Sequence, residues 1–140
     1  MEKKNLWLGM LVMVLAFGMS VVGCDNPTNS KGTPRIVTIT YEIYGSGNYS
    51  SFFYVLSYGN AYGDRVRLAG VILPFTRTFN VTIQPSCYFA AGLSFSVTTH
   101  LPVGARITGR LLVDGEEVGR SEIMGGTFTL GVGFAYMVVN

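Results

Sequence analysis

The chain has 140 residues and a formal charge of +2, with 49% hydrophobic, 13% aromatic and 13% charged residues. That length supports one domain. The apolar content excludes disorder over most of the chain, so small a net charge disfavours a nucleic-acid binder, and two cysteines exclude a disulfide-stapled miniprotein.

Residues 1–23 read as a lipoprotein signal peptide. Glu2, Lys3 and Lys4 open the chain, an apolar run follows from Leu6 to Phe17, and no charge occurs between Lys4 and Asp25. A cationic start, an apolar middle and a small residue at the cleavage point form the secretory pattern. Val21-Val22-Gly23-Cys24 adds the ending specific to lipoproteins: two apolar residues, a small one, then cysteine. Gly23 lets a peptidase approach the bond before Cys24, the Cys24 thiol takes diacylglycerol as a thioether, and the freed amine accepts a further acyl chain. Such chains anchor by about 0.8 kcal/mol per buried methylene. Two readings compete: an ordinary signal peptide with an incidental Cys24, and an uncleaved helix over residues 5–23, barely long enough to span about 30 Å. The lipid anchor is preferred because the cysteine sits where the motif demands it and a polar segment follows at once. The lipidated Cys24 and residues up to Pro34 form a flexible polar tether. The anchor implies a bacterial envelope protein held to a membrane, with the leaflet open. It also makes Asn48-Tyr49-Ser50 and Asn80-Val81-Thr82 chance matches to the glycosylation triplet. Without Glu2, Lys3 and Lys4 the chain keeps eight basic and seven acidic residues, so charge implies no polyanionic partner.

From residue 35 to residue 140 the hydrophobic period is two. Val37, Ile39, Tyr41 and Ile43 alternate with polar residues in a half-buried strand. Ser51 to Tyr58 is apolar on both faces, which predicts a central or covered strand. Arg65 and Arg67 share a face of a short strand, as on a guarded sheet edge. Phe75 to Ile83 and Cys87 to Val97 are the next two strands. Asp114-Gly115 separates two alternating runs, the strongest short hairpin signal, and a final strand carries Phe128, Leu130, Val132, Phe134, Tyr136 and Val138 in one phase. Seven or eight strands with no helical stretch after the signal predict an antiparallel sandwich or a small barrel.

Residues 36–122 resemble the MmpS family of small mycobacterial membrane proteins that accompany MmpL transporters of the RND class. Val37-Thr38-Ile39-Thr40-Tyr41-Glu42-Ile43-Tyr44-Gly45 is similar to that family's "VTYEVYG" opening. Val71-Ile72-Leu73-Pro74-Phe75 is similar to its "LPW" segment, with Phe75 for Trp, and Ala105-Arg106-Ile107 through Val113-Asp114-Gly115 to its "CRI…VDG" hairpin. The resemblance implies an immunoglobulin-like β-sandwich outside the cytoplasmic membrane, assisting a transporter that exports lipids or siderophores. The chain departs from the family in its lipid anchor and in Ala105, which replaces the cysteine of the family's disulfide.

Catalytic and metal chemistry is sparse. His100 is the single histidine and falls in a Thr-Thr-His-Leu-Pro loop, so neither a triad nor a multi-histidine metal site is expected. Cys87 shares the phase of Phe89, Ala91 and Leu93 and is expected to pack inward as a small hydrophobe. Glu116 and Glu117 flank a wet turn, unsuited to paired acid–base work. No enzyme activity, cofactor or metal is expected. Tyr44, Tyr49, Tyr58 and Tyr62 lie near turns and form a candidate exposed binding patch. The expected function is a non-enzymatic, lipid-anchored accessory of an RND-type transporter. The alternatives are a surface or periplasmic ligand-binding or adhesion lipoprotein and a structural envelope lipoprotein.

Overall fold

The computed structural model describes residues 21–24, 31–47, 54–97, 100–127 and 131–140. Most of the expected signal segment and tether, the start of the second expected strand and Tyr49 lie outside them. Nine strands occur among the described residues: β1 (Val21–Cys24), β2 (Arg35–Ser46), β3 (Tyr54–Gly59), β4 (Arg65–Val71), β5 (Phe75–Ile83), β6 (Cys87–Val97), β7 (Arg106–Val113), β8 (Glu116–Met124) and β9 (Gly131–Val139). Every pairing is antiparallel. The strands form two separate sheets, so the architecture is the sandwich and not the barrel.

One sheet has the order β5-β2-β7-β8. The other holds β4, β3, β6, β9 and β1. Within it, β9 pairs with β6 from Tyr88 to Ser96 and so fills one edge of that strand. The other edge is shared: β3 takes Leu93–Val97 and β1 takes Cys87–Ala90. β6 is therefore the spine of its sheet, and its inner and outer phases are both largely buried.

The core follows from the alternation. Val37, Ile39, Tyr41 and Ile43 of β2 are all buried, facing Leu56, Tyr58, Phe89, Leu93 and Phe95 of the opposite sheet. Aromatic pairs cross the gap: Tyr41 to Tyr58 at 5.5 Å between ring centres and Tyr58 to Phe75 at 6.0 Å, both tilted, and Phe79 to Phe89 edge-to-face at 6.5 Å. These distances lie in the favourable range for offset or edge contacts. Gly109 of β7 lies opposite Phe95, and a β-carbon there would stand 2.2 Å from a carbon of that ring. The missing side chain is what lets Phe95 reach across. Burial of the β2 and β6 inner faces supplies the main driving force, at about 25 cal/mol per Å² of apolar surface.

The β7–β8 hairpin turns on Asp114 and Gly115, with φ of 52° and 85°. Both central residues at positive φ are what a two-residue hairpin with matching twist needs. The Asp114 carboxylate also accepts the Thr38 backbone N–H at 2.8 Å and an Arg35 N–H at 3.1 Å, tying the hairpin tip to β2. The Thr38 contact foremost, and Arg35 after it, hold that carboxyl below the usual range. At the same end of the sandwich the Asn140 side-chain amide donates to the backbone oxygens of Ile83, the register partner of Arg35, and of Thr33.

Val138 is buried, but Tyr136 of the same phase is 40% exposed. β9 is an edge strand of its sheet, so an inward-phased side chain there is only partly covered by the opposite sheet.

Candidate functional site

Two regions carry chemistry that the rest of the sandwich does not: the β1–β6 junction around Cys24, and a groove on the outer face of the five-stranded sheet.

At the junction, register places Gly23 opposite Tyr88 and Cys24 opposite Cys87. The two sulfurs are joined in a disulfide that closes a loop of 63 residues in sequence separation. Cys87 is buried, in the phase expected from Phe89 and Ala91. It differs from the expectation in not being a lone thiol, because β1 docks beside it and brings Cys24 alongside. A disulfide and a thioether to lipid use the same Cys24 sulfur, so one chain holds only one of them. Cleavage before Cys24 would remove Val21, Val22 and Gly23, three of the four residues of β1.

The tyrosine patch does not assemble. Tyr58 is only 5% exposed and packs between Tyr41 and Phe75. Its phase is that of Tyr54 and Leu56, which points it inward. Tyr44 stands half-buried on the outer face of the four-stranded sheet, with the Arg110 guanidinium 5.6 Å from its ring centre. Tyr62 is 86% exposed, in the β3–β4 turn of the other sheet. The turn itself is organised by Asn60, whose side-chain oxygen accepts the backbone N–H groups of Tyr62 and Asp64 at 2.9 Å each. Tyr49 lies outside the described residues. His100 is exposed.

The outer faces of the two sheets differ sharply in charge. On the four-stranded sheet, Arg110 bonds Glu42 and lies 3.6 Å from Glu117. Arg120 grips Glu117 through two N–H groups at 2.8 Å, and Arg106 reaches Glu122 at 3.7 Å. The Arg120 bonds, followed by the nearby Arg110, hold the Glu117 carboxyl below its usual range. This face is electrostatically closed on itself.

The strands of the five-stranded sheet contain only two charged residues, Arg65 and Arg67, both on the edge strand β4. Among the described residues neither has a carboxylate within ion-pair distance. Val66 and Leu68 point to the core, which turns Arg65 and Arg67 outward, as the guarded-edge reading expected. Beside them lies a groove of about 540 Å³. The register fixes its floor in two rows. One runs Arg67, Ser57, Ser94, Gly133, and the next runs Val55, Ser96, Gly131. Strands about 4.8 Å apart make the first row about 14 Å long. Arg65 folds over β3 and donates to the Ser57 hydroxyl at 3.3 Å, leaving Ser57 only 4% exposed. A β-carbon on Gly131 would stand 3.1 Å from that of Ser96, so the glycine keeps the far end of the trough open. Sequence reading did not find this groove. Its one signal was the run of small residues in the outward phase of β6, Ala90, Gly92, Ser94 and Ser96.

Comparison of the chain with protein-family models and with curated proteins finds no match.

Proposed function

We propose that this chain is a lipid-anchored lipoprotein of the bacterial envelope, whose β-sandwich is a non-catalytic module that works beside a membrane partner. The observation that carries the reading is the Val21-Val22-Gly23-Cys24 motif directly ahead of a polar segment, with the sandwich beginning at Arg35. About ten residues of polar chain reach some 16–19 Å when they behave as a flexible coil. That spacing holds the domain within one domain diameter of a bilayer. The MmpS-like segments in β2, the β4–β5 connection and the β7–β8 hairpin support an accessory role beside an RND-type transporter.

In this reading the Cys24–Cys87 disulfide belongs to the uncleaved chain. Processing releases Val21–Gly23, the Cys24 sulfur goes to lipid, and Cys87 remains as a buried thiol. The reading is tested by feeding cells a labelled fatty acid and purifying the protein from membranes. Label retained by the wild-type chain and lost from Cys24→Ala supports it. Equal labelling of both, or none of either, contradicts it. The transporter role has its own test: co-purification of a large RND-class protein from gently solubilised membranes.

The outer-face groove favours a second reading, in which the sandwich binds a ligand directly as an envelope binding lipoprotein. Co-purification with no transporter, together with ligand binding at Arg65 and Arg67, would select it.

A further inference from the structure

We propose that the outer-face groove of the five-stranded sheet binds a phosphate group, held by Arg65 and Arg67 over the serine and glycine floor. The inference goes beyond the anchoring reading and does not depend on what happens to Cys24.

Three observations converge. First, Arg65 and Arg67 are the only charged residues in the strands of this sheet, whereas four of the five arginines in the strands of the other sheet are paired with carboxylates. An arginine that guards an edge needs only to be charged; these two share a face, and among the described residues neither guanidinium has a carboxylate within ion-pair distance, the neighbouring Asp64 lying at Asn60 instead. Second, the two guanidiniums border a groove whose floor offers hydroxyls from the half-buried Ser94 and Ser96, while Ser57 holds Arg65 in place. Guanidinium forks match tetrahedral oxyanions through paired N–H bonds, and hydroxyls add further donors. Third, the floor is low. Gly131 and Gly133 carry no side chain, so a group larger than a bare ion can lie along the row from Arg67 towards β9.

Geometry decides the ligand class. A planar carboxylate suits a single guanidinium, whereas a tetrahedral phosphate can present oxygens to two guanidiniums at once, with one negative charge as a diester and up to two when free. It can arrive free, or as the diester of a phospholipid headgroup, which the anchored domain would meet at the bilayer surface.

The Arg65 bond to Ser57 is part of the device. The bond from the Arg65 guanidinium to the Ser57 hydroxyl holds the side chain across β3. A phosphate then finds Arg65 already laid over the floor, which reduces the ordering cost of binding.

The test is an NMR titration of the isotope-labelled full chain in detergent micelles, with two probes used separately: inorganic phosphate and the soluble headgroup diester glycerophosphoglycerol. The expected result is saturable shifts confined to the amides of residues 55–57, 65–67, 94–96 and 131–133. Arg67→Ala should weaken the affinity about tenfold, in keeping with loss of a charge-assisted contact, and Arg65→Ala/Arg67→Ala should abolish it. Binding should fall as salt rises, since both charges are exposed. Shifts with inorganic phosphate assign a free phosphate, and shifts with the diester alone assign a headgroup. No shift with either probe overturns the proposal, as do shifts that survive unchanged in the double variant. An unchanged amide spectrum away from the groove shows that each variant is folded. A chain that carries lipid and yet ignores both probes would leave the anchor intact and remove the site.

Discussion

Tyr88 lies over Gly23 so closely that a β-carbon on Gly23 would stand 2.1 Å from the ring carbon Cζ. The peptide bond that follows Gly23 is the one a lipoprotein peptidase would cut. With β1 docked, that bond sits in a ladder with Tyr88 and Cys87 and beneath an aromatic ring. A protease must lay its substrate in its own cleft, so cutting and docking compete for the same four residues. On the proposed reading, cleavage before Cys24 would have to precede the docking of β1.

This relationship gives a first prediction about thiols. In the acylated chain Cys87 has no partner sulfur, so a reductant should leave the stability of the protein unchanged. A disulfide closing a loop of this length would be worth about 4 kcal/mol in the chain-entropy model. Denaturant unfolding of the membrane-extracted protein, with and without reductant, separates the two states. The uncleaved Cys24→Ala chain also lacks the bond and should be equally insensitive.

Gly109 should tolerate no side chain without cost. Gly109→Ala places a methyl group into the Phe95 ring, and overpacking of this kind costs about 1–3 kcal/mol. Unfolding in urea measures the loss. Adding Phe95→Leu to Gly109→Ala should recover part of it, because the two residues share one contact and their effects will not add.

Two tyrosines once grouped together should behave in opposite ways. Tyr58→Ala removes a buried ring from between Tyr41 and Phe75 and should cost about 3–5 kcal/mol, as for other large aromatic truncations. Tyr62→Ala removes an exposed ring and should stay within about 0.5 kcal/mol of wild type. Thermal or denaturant unfolding of the pair reads the contrast. Equal losses would mean that Tyr62 packs against something.

Asp114 links folding to acid pH. Its carboxyl is held below the usual range by the Thr38 N–H and by Arg35, so folding favours the ionised form. The stabilisation is present above about pH 4, where the unfolded carboxylate is ionised, and is lost as pH falls through the lower folded value. Asp114→Asn keeps a residue that accepts positive φ but removes the charge. It should flatten the acid limb of the stability profile below pH 4 and leave its shape near neutrality unchanged. Unfolding midpoints measured from about pH 2 to pH 7 report the difference.

Much of the fold was legible because local signals were strong. β5 and β6 run between the residues the alternation marked, and Asp114-Gly115 turns where two alternating runs meet. The misplaced Tyr58 was also readable. Leu56 two residues earlier fixes its phase inward, and its nearness to a turn carried no weight against that. The 40% exposure of Tyr136 depends on β9 lying at a sheet edge, which no local signal gives. The groove was hidden for a similar reason. Its floor joins β3, β6 and β9, whose neighbour order arises from non-local pairing, and serine or glycine in an outward phase looks the same over a ligand site as over plain solvent. The β1–Cys87 contact joins residues more than sixty positions apart, and nothing in the local spacing announces it.

The central claim is that the chain is fastened to a membrane through the Cys24 sulfur. Its most direct test is the intact mass of the protein extracted from cell membranes, combined with maleimide labelling after denaturation. The account predicts a chain beginning at Cys24, heavier by its acyl chains, with one maleimide on Cys87. A chain beginning at Met1, or one that takes maleimide only after reduction because Cys24 and Cys87 are bonded, would contradict it.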